Sequence, residues 1–191
     1  MREEKNYEIR LLPAELRASE DGKTIVGTIP YHTLSQDLGG FQERILPSAF
    51  KPALDTEAEV YALFNHDWER VMGRRSTNSL RLVDSEDGLQ IEISPSNTSW
   101  SNDALEVIRH GDSDGFSFGF WVLEDRWDKD GDTIIRDLVS VDLGEVSVVY
   151  KPAYKDQAKI GLRSIEKVQE LKVESFQLLE CRQKLMRLRC R

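Results

Sequence analysis

Alternation of apolar and polar positions dominates the chain, and it predicts β-strands through most of its length. The clearest case lies past the middle of the sequence, where Phe116, Phe118 and Phe120 alternate with Ser117 and Gly119. Because successive side chains of a strand point to opposite faces, the three phenylalanines should face a core and the serine should lie on the other face. The glycine beside the serine predicts an open surface that a peptide backbone could approach closely.

Further segments carry the same signal, each rich in β-branched or apolar residues and bounded by turn residues. These predicted strands are Glu8–Leu12, Lys23–Tyr31, Val60–His66, Ser79–Val83, Leu89–Ile93, Thr133–Leu138 and Val141–Tyr150. The two strands around the Asp87-Gly88 turn predict a hairpin. The fold class predicted from this pattern is mainly β with flanking helices.

The acidic run Asp128–Asp132 separates the phenylalanine-rich strand from the next one. Its spacing resembles the start of a calcium-binding loop. However, Val139 stands where such a loop requires a glutamate, and flanking helices are absent from the pattern. We therefore predict a second hairpin turn at this position.

Two short helices interrupt the strands. Residues Ser101 to Asp103 offer capping side chains for a helix that runs through Arg109 and ends at Gly111. Ser48 is a candidate cap for a shorter helix that follows it.

The end of the chain differs from the rest in pattern and charge. We predict a β domain over residues 1–160 and a helical, basic extension over residues 161–191, which contains no glycine or proline after residue 164. Residues 165–191 hold seven Lys or Arg against four Glu, whereas the whole chain has a net charge of −8. A basic tail of this kind is usually a solvated end, and docking on an acidic partner is the alternative.

Composition excludes several classes of protein. A net charge of −8 argues against a general nucleic-acid binder, because neutralising phosphates requires a basic surface. No stretch of 18 apolar residues predicts a membrane span, and the polar Met1–Arg10 lacks the apolar core of a secretory signal. Both cysteines, Cys181 and Cys190, lie in the extension and form no disulfide framework, which favours a reducing, intracellular setting. We expect no cofactor.

Three residues on separate strands could form a nucleophilic site. Among the three histidines, His66 ends an apolar strand on the side of core residues, whereas His32 lies in a loop and His110 ends a helix. Glu145 lies among valine and leucine, so a buried carboxylate there needs a partner. Serine, histidine and carboxylate suit nucleophilic catalysis. From the residues alone, two simpler interpretations remain open. Ser117 could be an ordinary strand residue without a function, and His66 could be a core histidine whose hydrogen bonds are made within the fold.

A metal site is the alternative interpretation of the three histidines. His66-Asp67 together with His32 and His110 resembles the ligand pattern of helical metal-dependent phosphohydrolases. That pattern requires ligands on helices, whereas His66 is predicted on a strand. We therefore favour the nucleophilic reading.

Six short blocks between about residues 22 and 160 share their order and spacing with a known protein family. The blocks are Gly39-Gly40-Phe41 with Glu43-Arg44-Ile45, Pro47 and Ala49-Phe50; Leu63-Phe64-Asn65-His66-Asp67; Gly73-Arg74; Gly88-Leu89; Ser117-Phe118-Gly119-Phe120; and Glu145-Val146-Ser147-Val148-Val149 with Pro152-Ala153-Tyr154. Together they resemble the prohead (procapsid) maturation proteases of tailed bacteriophages.

The resemblance implies an assemblin-like β-barrel with surrounding helices, of the kind found in the herpesvirus assemblins, followed here by a C-terminal helix. It also implies a serine endopeptidase that cleaves scaffold and capsid proteins inside the assembling procapsid, in the host cytoplasm. Ser117 would be the nucleophile, His66 the general base and Glu145 the residue that orients the histidine. A homodimer and cleavage of the chain's own C-terminal tail are further expectations. The alternative is a non-catalytic capsid-assembly module with the same barrel.

The chain departs from the family pattern at two places. Ser48 stands where the family is expected to have glycine, and Arg75–Ser79 fits the usual turn only loosely. By similarity to the assemblins, the oxyanion donors would be backbone amides near Ala153 to Asp156. Ser147 is expected to support the site rather than to act as its nucleophile.

Overall fold

The computed structural model describes residues 6–13, 15–19, 22–113, 115–149 and 164–173. Strands occupy about half of these ranges. They are β1 (Tyr7–Pro13), β2 (Glu15–Ala18), β3 (Ile25–Pro30), β4 (Gln42–Ile45), β5 (Tyr61–Phe64), β6 (Asp67–Arg74), β7 (Leu80–Asp84), β8 (Gly88–Ile93), β9 (Gly115–Asp130) and β10 (Thr133–Val149).

The strands form two sheets. The larger has the order β1-β9-β10-β5-β6, with β4 also paired to β10, and it curls into a half-barrel. The smaller has the order β2-β3-β8-β7. The mainly β fold with flanking helices is therefore as the sequence predicted, and so are the hairpins β7–β8 and β9–β10.

The phenylalanines of β9 lie in the core between the two sheets, as predicted. Phe116, Phe118 and Phe120 are fully buried. Phe118 stacks on Phe120 with ring centroids 5.0 Å apart and meets the edge of Phe50 at 5.5 Å. Burial of this much aromatic surface anchors β9 firmly, because each ring removes a large apolar area from water.

Two helices lie beside the sheets, α1 (Lys51–Asp55) and α2 (Ser99–His110). Helix α2 ends at Gly111 as predicted, but its cap is Thr98, whose side chain accepts a hydrogen bond from the Ser101 amide. The predicted cap at residues 101–103 is wrong by one turn, because threonine at position 98 provides the same capping oxygen earlier in the chain. Ser48 does not cap α1 either; it has φ of 63° in the turn before that helix.

The second strand of the long hairpin is continuous where the sequence predicted two strands. β10 runs without a break past Leu138 and Val141. Register shifts against β9 occur at Leu138/Ser140 and Ser140/Val141, and such bulges absorb the interruption in alternation without ending the strand.

Residues 164–173 are helical and dock on the β domain. Val168 packs with Phe41 and Ile134 in a small second core, and Ser164 Oγ donates a hydrogen bond of 2.7 Å to Glu8 Oε1. The predicted boundary at residues 160/161 and the rest of the basic extension lie outside the described residues. Within the described ranges, every helix is too short or too polar to cross a bilayer.

A buried ion cluster lies beneath this helix; its members are Glu8, Arg10, Glu43, Asp125 and Arg136. Arg10 Nε donates to Glu43 Oε1 at 2.7 Å, and Arg136 Nη1 donates to Glu8 Oε2 at 2.8 Å. Burial alone would raise the pKa of the Glu8 carboxyl, but Arg10 and Arg136 outweigh it and hold that pKa below its ordinary value. The cluster thus joins β1, β4, β9 and β10 through paired charges.

Candidate active site

The candidate site lies on the face of the larger sheet opposite the phenylalanines. In the pairing of β9 with β10, Ser117 is directly opposite Ser147, and Gly119 is opposite Glu145. Directly opposed residues of antiparallel strands project from the same face. Ser117, Ser147 and Glu145 therefore lie on the same face of the sheet.

A β-bulge at Gly144 determines which way Glu145 points. The register between β9 and β10 shifts between Leu143 and Glu145. Alternation alone predicted these two residues on one face, and that prediction is wrong, since Leu143 packs in the core. A side chain at position 144 would come within 2.9 Å of the Trp121 ring, so glycine allows the bulge to form.

His66 lies in the two-residue turn between β5 and β6. Asn65 and His66 have φ of 52° and 59°, the positive values that tight two-residue hairpins require. The Asn65 amide donates to the Val148 carbonyl at 2.9 Å, and the His66 amide donates to Ser147 Oγ at 3.2 Å. The predicted placement of His66 on the core side is wrong, because the turn brings its ring to the Glu145 side of the sheet.

His66 and Glu145 are in direct contact. His66 Nδ1 and Glu145 Oε1 are 2.7 Å apart, and the carboxylate side chain is only 1% exposed. The other carboxylate oxygen, Oε2, accepts a hydrogen bond of 2.6 Å from Ser147 Oγ. The partner expected for a buried Glu145 is therefore present. A carboxylate bound to Nδ1 orients the ring and stabilises its protonated form, while Nε2 remains for proton transfer.

Tyr7 of β1 also contacts this carboxylate, and Gly119 makes room for both groups. The Tyr7 hydroxyl lies 3.4 Å from Glu145 Oε1. Burial first, and then the Glu145 carboxylate, raises the pKa of Tyr7, so the phenol stays protonated and donates. A Cβ atom at position 119 would overlap the Tyr7 hydroxyl and come within 2.6 Å of Glu145 Oε1.

The Ser117 hydroxyl points to the main chain of β1. Its Oγ donates a hydrogen bond of 2.9 Å to the Arg10 carbonyl oxygen, and the described residues show no hydrogen bond between Ser117 and the His66 ring. Ser117 is 1% exposed, so the open surface predicted around Ser117 and Gly119 is wrong. One physical reason is that β1 pairs along this edge of β9, with Leu11 opposite Ser117.

The remaining histidines lie elsewhere. His32 is exposed, with its amide bonded to the Ile45 carbonyl, and His110 is exposed in the last turn of α2. No group of His, Cys, Asp and Glu within the described ranges could hold a metal ion. The suggested oxyanion donors, Ala153 to Asp156, lie outside those ranges.

Two contacts of the site had no sequence signal. Tyr7 and Arg10 belong to β1, which reads as a short strand but carries no indication of its partner. Both residues are more than 100 positions from the groups they touch. The glycine at position 119, between Phe118 and Phe120, was the one sequence feature that indicated a close approach.

Comparison with known proteins agrees with the resemblance seen in the sequence. The chain matches no curated protein and no solved structure. The profile of the caudovirus prohead serine protease family matches residues 13–171, which include His66, Ser117 and Glu145. The chain therefore belongs to the caudovirus prohead serine protease family and is a serine protease of the prohead type.

Proposed function

We propose that this protease cleaves the scaffold and capsid proteins of the procapsid, with Ser117 as nucleophile, His66 as general base and Glu145 as the residue that orients His66. The observation that carries the proposal is the 2.7 Å contact between His66 Nδ1 and Glu145 Oε1, on the sheet face that also bears Ser117. Family membership supports the wider setting, since a prohead protease contacts procapsid proteins and acts within the assembling procapsid.

The first step requires the Ser117 hydroxyl to change partner. In the described conformation it donates to the Arg10 carbonyl oxygen. Rotation about χ1 moves a serine oxygen between three staggered positions, and one such rotation would turn Oγ away from Arg10. Catalytic hydrogen bonds are often absent before substrate binds and form in the complex. Because Ser117 is buried, a substrate reaches it only after the surface over it opens.

The chemistry then follows the serine-protease scheme. Nε2 of His66 takes the hydroxyl proton while Ser117 Oγ bonds to the carbonyl carbon of the scissile peptide, and the electron pair of the C=O π bond moves to the oxygen. The protonated ring is held by Glu145 through Nδ1. It then gives the proton to the leaving amine as the C–N bond breaks and leaves an acyl-enzyme. Water, deprotonated by the same ring, then attacks the ester carbon, and the ring returns that proton to Ser117 Oγ as the ester C–O bond breaks and the new carboxyl terminus leaves.

The test is cleavage of co-expressed scaffold or capsid protein, followed by gel and intact-mass analysis. Ser117→Ala should abolish cleavage. Glu145→Gln should lower it by about 10⁴-fold, the loss seen when the orienting carboxylate of such a triad is replaced by its amide. Ser113→Ala is the matched control, because Ser113 is equally buried and its Oγ also donates to a carbonyl, that of Val149, at 2.6 Å.

Each outcome supports or excludes a different part of the proposal. Loss of cleavage in Ser117→Ala and Glu145→Gln, with the control active, supports the triad. Cleavage that continues in folded Ser117→Ala would exclude Ser117 as the nucleophile. Failure of a serine-directed fluorophosphonate to label the folded wild type would instead favour a non-catalytic assembly module.

Self-cleavage and dimer formation are parts of the proposal with their own measurements. If the enzyme removes its own basic tail, the C-terminus of the wild type should be shorter than that of Ser117→Ala in mass spectra. Light scattering after size exclusion should give twice the 22.0 kDa chain mass if it is a homodimer.

A further inference from the structure

Ser147 links the two members of the proposed His66–Glu145 pair, and we infer that it is a positioning residue for the reaction. The inference rests on the proposed function. Ser147 is fully buried. Its Oγ donates to Glu145 Oε2 at 2.6 Å and accepts from the His66 amide at 3.2 Å.

The single hydroxyl hydrogen fixes the direction of both bonds. A serine hydroxyl has one hydrogen to donate and two lone pairs that accept. Since the carboxylate can only accept, the hydrogen lies towards Glu145, and the His66 amide meets a lone pair. Ser147 therefore connects the carboxylate with the main chain of the turn that carries the imidazole.

These bonds restrain Glu145 from both sides. Oε1 contacts the His66 ring at 2.7 Å, and Oε2 contacts Ser147 at 2.6 Å. A carboxylate bound at both oxygens has its plane fixed, and that plane sets the orientation of the ring. The His66 amide bond restrains the other partner at its backbone.

The position of Ser147 follows from the sheet. It lies two residues after Glu145 on the same strand face, and β5 pairs with β10 through Leu63 opposite Ser147. This pairing brings the turn that follows β5 next to the serine. Ser117 lies opposite Ser147 on the other side of the strand, so Ser147 stands between the proposed nucleophile and the proposed base.

The partners of the two serines separate their proposed roles. The Ser147 hydroxyl bonds to the carboxylate that orients His66, whereas the Ser117 hydroxyl bonds to a backbone carbonyl and can leave it without disturbing that carboxylate. The predicted contribution of Ser147 is to the rate of the chemical step, through the geometry of His66 and Glu145.

The experiment compares Ser147→Thr with Ser147→Val in the full chain. Threonine and valine have the same shape and differ only in the hydroxyl, so packing effects cancel. The probe is a fluorophosphonate, and the readout is the labelling rate together with the labelled residue found by peptide mass spectrometry. Thermal unfolding followed by circular dichroism checks the fold. Ser117→Ala is measured alongside.

We expect Ser147→Val to be labelled roughly ten- to a hundredfold more slowly than the wild type, the size expected when a hydrogen bond to a charged group is lost. Ser147→Thr should recover most of the rate. Equal rates in the threonine and valine variants would overturn the inference. If the added methyl prevents folding, Ser147→Ala and Ser147→Cys replace them, and a wild-type rate in the alanine variant would be the contrary result.

The same experiment distinguishes failure of this inference from failure of the proposed triad. Label on Ser117 with equal rates in the threonine and valine variants overturns the role of Ser147 and does not contradict the triad. Label that persists in Ser117→Ala overturns the proposed nucleophile. Label found on Ser147 itself overturns both proposals.

Discussion

Replacing Arg136 by methionine tests whether the buried ion cluster stabilises the fold. Arg136 is 1% exposed and donates to Glu8 Oε2 at 2.8 Å, to Glu43 Oε2 at 3.1 Å and to Asp125 Oδ2 at 3.0 Å. Methionine fills a similar apolar volume but removes the charge and these hydrogen bonds. The cluster then keeps three carboxylates and one guanidinium, that of Arg10.

The expected cost is large because the carboxylates stay buried. Removing one partner of a buried charge network typically destabilises a protein by about 3–5 kcal/mol, since the remaining charge is desolvated without compensation. Glu8 retains Ser164 and Arg10 as partners, which places the expected value at the lower end, about 3 kcal/mol. A loss of that size is a large share of the stability of a domain, which is roughly 5–15 kcal/mol.

The effect should shrink as the pH falls. The pKa of Glu8 is held below its ordinary value in the folded wild type. A carboxyl with a lowered pKa stabilises the fold above its unfolded-state pKa, and that stabilisation is lost as pH falls through the folded-state value. Without Arg136, the pKa of Glu8 rises, because one of the two positive charges that counteract the effect of burial on this carboxyl is gone. The variant therefore loses less stability on acidification than the wild type does.

Urea unfolding followed by circular dichroism at pH 7.5 and pH 4.5 measures both effects. Arg126→Met is the matched control, because Arg126 is 68% exposed and lies 3.7 Å from its partner Glu124. That variant should stay within about 0.5 kcal/mol of the wild type at either pH. The reasoning is refuted if Arg136→Met costs less than about 1 kcal/mol at pH 7.5, or if its deficit grows towards pH 4.5.

Two further pairs of substitutions test the site and the turn before α1. Gly119→Ala should lower fluorophosphonate labelling at least about tenfold, because its Cβ would displace both the Tyr7 hydroxyl and Glu145 Oε1. Tyr7→Phe removes the 3.4 Å contact of the hydroxyl with Glu145 and leaves the carboxylate in place, so it should cost a few-fold at most. Equal losses in the two variants would contradict this. Ser48→Gly should stabilise the fold by about 0.5–1 kcal/mol in urea unfolding, because Ser48 has φ of 63° and glycine adopts that conformation without strain. Ser48→Ala should bring no such gain, and an equal gain would argue against strain.

The sequence predicted the parts of the fold that depend on local pattern. Alternation in Phe116–Phe120 identified the core strand, and turn residues identified both hairpins, because each signal depends on neighbours within a few positions. Ser48 is different, because the sequence predicted a helix cap there and the structure shows a turn residue with a positive φ, a conformation that glycine adopts most easily.

Long-range pairing could not be predicted in the same way. Nothing within β1 indicates that it pairs with β9, so neither the burial of Ser117 nor its bond to the Arg10 carbonyl could be foreseen. The ion cluster was missed for a related reason. Charged residues in a strand normally read as solvent-facing, and only contacts between distant strands make their burial favourable.

The proposed site depends on local departures from regular strand geometry. In an unbroken β10, Glu145 would share a face with Leu143 and would point into the core; the bulge at Gly144 separates them. A regular end to β5 would likewise keep His66 on the core side. Positive φ at Asn65 and His66 costs energy in non-glycine residues, although asparagine and histidine tolerate it better than most.

Those costs are offset by bonds that exist only in the irregular form. The turn is held by the amides of Asn65 and His66 on β10, and the ring is held by Glu145. Since the glycine at position 144 and the Asn65-His66 turn act on opposite sides of one contact, loss of either should misplace the same hydrogen bond. Their effects on labelling should therefore be less than additive: Gly144→Ala in a His66→Ala background should change the rate far less than it does in the wild type. Full additivity would mean that the bulge acts on something other than the contact between Glu145 and His66.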